Sequence, residues 1–209
     1  MIIYPSIPTL KKSSLALGEK VAAFYKFDGS NLRFEYSAKK GWHKFGTRHH
    51  LFDKSDLLYS QAVPLFQEIE DDILLKIKDK YKSIFKITAF VEFFGPSSFA
   101  GQHLLEEEKE IKLFDIHLHK HGLISPKDFI ELFSQTTYAA HLIYQGPLNK
   151  SFINDVRQNN LNLSEGVVCK AESGQNCKIK TEEFLNRLKK HYQDNHKNIP
   201  EDNLFENCF

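Results

Sequence analysis

Cysteine is scarce in this 209-residue chain, at three residues, and the scarcity narrows the field. Cys169, Cys177 and Cys208 form no CxxC pair and no even set, so neither a zinc ribbon nor a disulfide framework is suggested, and a reduced, intracellular protein is expected. No apolar run reaches the length of a membrane span, and Met1–Ser6 does not open a charged-then-apolar leader. These absences predict a cytoplasmic protein that does not engage a membrane. A charge excess of one sign is also missing: the formal net charge is +1. A polyanionic partner would have to be held by a local patch rather than by the field of the whole molecule. No internal repeat, low-complexity tract or Gly/Ser/Pro linker divides the chain.

Aromatic residues are plentiful, with eighteen Phe against one Trp, and supply ample material for a core. Val21–Lys26, Asn31–Ser37 and Gly41–Phe45 alternate in strand fashion, and Asp28-Gly29 predicts a tight hairpin between the first two. Asp56–Lys82 carries apolar residues at helical spacing, with Pro64 expected to break or kink it early. Ile84–Phe94 and Glu110–His119 read as strands joined by a Gly-, Ser- and Glu-rich loop. Pro126–Thr136 reads as a helix, His141–Gln145 as a strand and Asn149–Gln158 as a helix. Ser164–Ala171 and Asn176–Lys180 then form a pair of strands, before a helix over Thr181–Gln193 capped by Thr181. Strands and helices without a regular βαβ rhythm predict an α+β fold. The expected organisation is one domain over residues 1–193 and a polar tail over 194–209.

Five short motifs carry chemistry-bearing residues. Lys26-Phe-Asp-Gly-Ser-Asn31 places a lysine beside a turn. Phe90-Val-Glu-Phe-Phe-Gly-Pro96 sets Glu92 on the strand face opposite Val91 and Phe93. Ile111-Lys-Leu-Phe-Asp-Ile116 contains Phe114 and Asp115. Ser164-Glu-Gly-Val-Val-Cys-Lys170 contains Glu165 and Lys170, and Cys177-Lys-Ile-Lys180 puts Lys178 and Lys180 on one strand face. Each motif alone is explained as well by a hairpin, a solvated strand carboxylate or an edge lysine pair. Their order is another matter.

Lys-x-Asp-Gly, Glu-x-x-Gly, Phe-Asp-Ile, Glu-Gly-Val-Val-x-Lys and Lys-x-Lys, in that sequence, resemble motifs I, III, IIIa, IV and V of the covalent nucleotidyltransferase superfamily. That superfamily comprises ATP-dependent polynucleotide ligases and mRNA capping enzymes, and the resemblance spans residues 26 to 180. DNA ligases and capping enzymes usually carry an arginine where Asn31 follows Ser30; Gly-Ser-Asn instead resembles the RNA ligase 2 type. Arg48, within Phe45-Gly-Thr-Arg-His-His50, falls where that type has its motif Ia arginine.

The resemblance implies an ATP-grasp-like ligase domain of antiparallel sheets flanked by helices, acting as an ATP-dependent RNA ligase. Lys26 would attack the α-phosphorus of ATP to give lysyl-AMP. AMP would pass to a 5′-phosphate, and a 3′-hydroxyl would displace it to seal RNA ends or a nicked duplex. In the family's terms Glu92 holds the ribose, Phe114 stacks on adenine, and Lys178 and Lys180 hold the α-phosphate. Glu165 and Asp28 would assist Mg²⁺ (or Mn²⁺), while Asn31 and Arg48 lie near phosphates. Asp115 and Lys170 match motif positions without a separate step. DNA nicks or RNA 5′ ends are the alternative acceptors. Twenty-nine residues follow Lys180, too few for the OB-fold or helical module of larger ligases, so a protein partner in sealing is a further expectation.

Three other groups are open to two readings. His117, His119 and His121 alternate as metal ligands would, or as an exposed polar edge. Arg187, Lys189, Lys190 and His191 form a solvated helix face or a phosphate contact. His43, Lys44, Arg48, His49 and His50 form a second basic group.

Overall fold

The structure, a computed structural model, describes residues 1–195. Two compact units form, one from Met1–Pro5 with Asp28–Ala140 and the other from Ser6–Phe27 with the described residues from 141 to 195. Strands and helices are numbered in chain order across both units.

The unit containing Lys26 is built on a four-stranded antiparallel sheet. Its strands are β1 (Lys20–Lys26), β8 (Leu142–Pro147), β9 (Gly166–Ala171) and β10 (Asn176–Lys180), in the order β10-β9-β1-β8. The two-residue period of a strand sends Val21, Ala23, Val167, Cys169, Cys177 and Ile179 to one face. There they are buried with Leu148 and with Phe152, Ile153 and Val156 of α4 (Lys150–Arg157). The opposite face carries Lys26, Lys170, Lys178 and Lys180. Asn149 caps α4 by accepting the Phe152 amide at 2.9 Å, and Thr181 caps α5 (Glu182–Asp194) by accepting the Phe184 amide at 3.1 Å. Each cap satisfies a first-turn donor that has no partner inside its helix.

The other unit has a six-stranded antiparallel sheet in the order β4-β3-β2-β5-β6-β7. The strands are β2 (Ser30–Ser37), β3 (Gly41–Thr47), β4 (Leu51–Phe52), β5 (Lys86–Phe94), β6 (Glu110–Leu118) and β7 (Gly122–Leu123). Leu32, Phe34, Ala89, Val91 and Phe93 are buried on one face, and Phe34 stacks on Phe66 with ring centroids 3.9 Å apart. Phe66 belongs to α1 (Ala62–Gln67), which is followed by α2 (Glu70–Lys80) and, after β7, by α3 (Pro126–Phe133). The other face of β2 carries Arg33 and Glu35, both buried.

Antiparallel sheets flanked by helices are the α+β arrangement expected. Several local expectations are overturned. Asp28-Gly29 does not close a hairpin: β1 pairs with β8 and β9, whereas β2 pairs with β3 and β5, in different sheets. Both edges of each strand are taken by other partners, of which only β3 is the next in the chain, and these override the local turn signal. The helix expected over Asp56–Lys82 is two helices preceded by turns, and Pro64 lies in the first turn of α1, where a missing amide leaves no bond unmade. The break falls at Glu68–Ile69 instead. The third helix ends at Phe133 rather than at Thr136. β6 ends at Leu118, so His119 and His121 lie in the following turn and the three histidines share no strand face. Most of the expected polar tail, with Cys208, lies outside the described residues.

Candidate active site

One glycine organises the lysine site. Gly166, the first residue of β9, stands opposite Lys26 of β1 on one side and opposite Lys180 of β10 on the other. The two lysines therefore flank it on the same sheet face. The register explains why no side chain is tolerated between them. The Thr181 amide donates to the Glu165 carbonyl at 2.9 Å, making that pair hydrogen-bonded and the next pair, Gly166 with Lys180, the closer non-hydrogen-bonded kind. A Cβ at Gly166 would overlap the Ile179 carbonyl oxygen and come within 2.8 Å of the Lys180 Cα.

Glu165, immediately before this glycine, reaches both lysines. Its Oε2 accepts from Lys26 Nζ at 2.6 Å and its Oε1 pairs with Lys180 Nζ at 2.8 Å. The side chains are 4 %, 22 % and 12 % exposed for Glu165, Lys26 and Lys180, so water screens the group poorly. Burial alone would raise the Glu165 carboxyl, but the charges of Lys26 and Lys180 outweigh it and hold the group below the ordinary glutamate value. Burial, with repulsion from Lys26 and Lys178, lowers Lys180 against the pull of Glu165. One carboxylate thus serves two confined amines. Lys178 stands two residues from Lys180 on the same face. Lys170 places its Nζ 5.3 Å from the Phe24 ring centroid, and Lys180 Nζ lies 4.9 Å from that of Phe184.

The remaining candidates belong to the other unit. Asp28 accepts the Ala100 amide at 2.6 Å through Oδ2, tying the Asp-Gly turn to the β5–β6 loop. Asn31 and Glu92 are direct cross-strand partners on β2 and β5. Phe114 is the extra residue of a β-bulge, because Phe90 pairs with Asp115 while Val91 pairs with Leu113. The bulge lets consecutive residues meet one neighbour. The Phe114 ring lies edge-on to Tyr4 at 5.0 Å, and Asp115 accepts the Tyr4 hydroxyl at 2.8 Å. Burial first, then the Asp115 charge, pushes the Tyr4 phenol well above its ordinary value. Asn31 Oδ1 and Arg48 Nε are buried without a hydrogen-bond partner, an acceptor and a donor of the kind a bound polar ligand would satisfy.

The structure therefore joins Lys26, Glu165 and Lys180 directly, keeps Lys170 and Lys178 on their sheet face, and pairs Asn31 with Glu92. Among the described residues no group of three or more His, Cys, Asp or Glu is placed to hold a metal ion, and no helix is long and apolar enough to cross a membrane. His43 and Lys44, read as part of a basic group, lie 3.9 Å and 3.4 Å from the Glu35 carboxylate. Cys169 and Cys177 are free and buried. Tyr4 was not legible as a site neighbour, since its partner Asp115 lies 111 residues away.

A family model described as RNA ligase matches residues 19–191. Among solved structures, a Naegleria gruberi RNA ligase with PPi is similar, with a TM-score of 0.68, 16% identity, and coverage of 90% of this chain and 58% of that one. An archaeal ATP-dependent RNA ligase gives a TM-score of 0.65 at 16% identity, over 91% of this chain and 51% of the other. A putative ATP-dependent DNA ligase from Aquifex aeolicus gives 0.63 at 18% identity, over 97% and 56%. These likenesses concern the fold, and the chain spans little more than half the length of each of these ligases. No curated protein matches the sequence.

Proposed function

The chain belongs to the RNA ligase family, and on that footing we propose that it transfers AMP from ATP to Lys26 and on to a 5′-phosphate end of RNA, which a 3′-hydroxyl then seals. The observation that carries this reading is the Lys26–Glu165–Lys180 group around Gly166. A lysine held at 2.6 Å by a buried carboxylate, with a second ammonium on that same carboxylate, is oriented and short of compensating charge.

The first step forms a P–N bond between Lys26 Nζ and the α-phosphorus and breaks the P–O bond to pyrophosphate. The amine must first shed its proton, since free lysine is charged at neutral pH, with a pKa of about 10.4. Glu165 orients the amine toward the α-phosphorus. Lys180 and Lys178 supply positive charge for the phosphate oxygens as the transfer proceeds. Glu92 is assigned to the ribose and Phe114 to the adenine face, by their match to the family's motifs, with Asn31 and Arg48 toward phosphate; Lys170 matches a motif position without a separate step. The unpartnered Asn31 Oδ1 and Arg48 Nε support a polar ligand beside them. Asp28 and Glu165 would each offer an oxygen donor to Mg²⁺ or Mn²⁺, and the ion would supply charge neutralisation at the phosphates. The adenylyltransferase span is taken as residues 1–193, acting inside the cell where ATP and RNA are available.

Incubation with α-labelled ATP and Mg²⁺, followed by denaturing electrophoresis, tests the reading. A covalent, acid-labile adduct is expected in the wild type and absent in Lys26→Ala. Folded protein that takes label from no nucleotide would sink it. Nicked duplexes with RNA or DNA at the 3′-hydroxyl side then define the acceptor, and adduct formation without sealing assigns the last step to a partner.

A further inference from the structure

Glu165 has to be placed accurately. On its C-terminal side the ladder holds it: the Thr181 amide donates to its carbonyl at 2.9 Å, and Gly166 pairs with β1 and β10. On its N-terminal side it lies in a bend before β9, outside the ladder. Contacts on that side have to complete the placement.

The holding contacts converge on Ser164, one residue earlier. Its amide donates to the Tyr25 hydroxyl at 3.0 Å, and its carbonyl accepts from Arg187 Nη2 at 3.1 Å. Tyr25 is the neighbour of Lys26 on β1, so it points to the opposite face of the sheet and packs against the apolar core. Arg187 extends from the exposed side of α5, with its guanidinium carbon 5.8 Å from the Phe184 ring centroid. The same ring lies 4.9 Å from Lys180 Nζ. Phe184 is buried and its amide forms the α5 cap. One rigid aromatic thus references both the arginine that holds Ser164 and the lysine that holds Glu165.

We infer that Tyr25 and Arg187 are positioning residues: they clamp the backbone of Ser164 from two sides and thereby set the Glu165 carboxylate between Lys26 and Lys180. Neither needs to touch the nucleotide. The inference deepens the adenylyltransferase reading and rests on it for its catalytic consequence. A carboxylate displaced by about 1 Å would orient the amine poorly, and misplacement on that scale can cost on the order of 100-fold in rate.

The test uses the full chain with Tyr25→Phe, which removes only a hydroxyl, and with Arg187→Ala and Arg187→Lys. Each of the first two is expected to slow Lys26 adenylation about 10-fold at saturating ATP, with ATP half-saturation moving less than about 3-fold. Arg187→Lys, which keeps a donor, should recover most of the rate. Crystal structures of Tyr25→Phe and Arg187→Ala should show the Glu165 carboxylate shifted from its place between Lys26 and Lys180. Unchanged rates, or a carboxylate left in place in both variants, overturn the inference. So do rates that fall only with the folded fraction, or that Arg187→Lys does not restore. A wild type that takes no AMP overturns the adenylyltransferase reading instead, and the position of Glu165 in the variant structures then decides the clamp by itself.

Discussion

Glu35 and Glu165 are both almost wholly buried, one in each unit, and both gather cations. Glu35 lies 2.9 Å from Lys86 and 3.4 Å from Lys44, with the buried Met1 amino group at 3.8 Å and His43 at 3.9 Å. Lys86 and Lys44 are 37 % and 45 % exposed, so water shares the solvation of their charge. Around Glu165 the cations are themselves confined, at 22 % for Lys26 and 12 % for Lys180. Both carboxyls are held below the ordinary glutamate value despite burial. The difference lies with the amines. Lys180 is lowered by burial, and its neighbour Lys26 sits at a strand end against a glycine. A buried carboxylate among cations is therefore no mark of a reactive site; two confined lysines at hydrogen-bond distance on one carboxylate are what sets Glu165 apart.

The sharpest way to break this comparison is to delete each carboxylate. Glu165→Ala leaves two confined ammonium groups facing one another and is expected to cost about 3–5 kcal/mol of stability. It should also slow Lys26 adenylation on the order of 100-fold. Glu35→Ala leaves lysines that can turn to water and one buried amino group, Met1, that cannot, so about 1–3 kcal/mol is expected, and folded protein should adenylate normally. Denaturant titration and single-turnover labelling of both variants read the contrast. Equal effects on labelling would erase it.

Gly166→Ala comes next. The added methyl meets backbone on β10, which cannot rotate away as a side chain can, and a cost of roughly 2–4 kcal/mol is expected. Adenylation per folded molecule should fall as well, because Lys26 and Lys180 are forced apart. Gly174→Ala, in the β9–β10 turn, meets no atom within 4 Å but has a φ of 83°. It should cost about 1 kcal/mol and leave adenylation alone.

The motif residues were legible because their order survives in the chain whatever the fold does with them. Lys26, Glu165 and Lys180 lie together where β1, β9 and β10 meet at Gly166. What was not legible depends on distant pairing. The Asp28-Gly29 signal is a fair hairpin signal, and only the competition of β8, β9, β3 and β5 for strand edges removes it. The period of His117, His119 and His121 was visible, but not the strand end after Leu118. Arg187 looked like one cation on a solvated helix, and its hydrogen bond to Ser164 spans 23 residues. Tyr4 offered no local signal at all.

Titration separates the two glutamates more finely. Each folded carboxyl lies below its unfolded value of about 4.3, so each contributes stability that is complete above that pH and fades as pH falls through the folded value. Glu165→Gln and Glu35→Gln should each remove part of this acid-side slope. Lys180 has the opposite sign: its folded value lies below about 10.4, so between the two the unfolded chain binds more protons and stability rises with pH. Lys180→Met should abolish that alkaline rise, while Lys86→Met should leave it. Tyr4→Phe, which keeps the ring against Phe114 and removes one hydrogen bond to buried Asp115, should cost about 1–3 kcal/mol and leave both slopes in place.

The most direct measurement is peptide mapping by mass spectrometry of protein incubated with ATP and Mg²⁺ and kept at neutral pH. The account predicts AMP on Lys26 alone, at near-stoichiometric occupancy, with Lys178 and Lys180 unmodified. AMP on either of those lysines, or a folded protein that carries none, would contradict it.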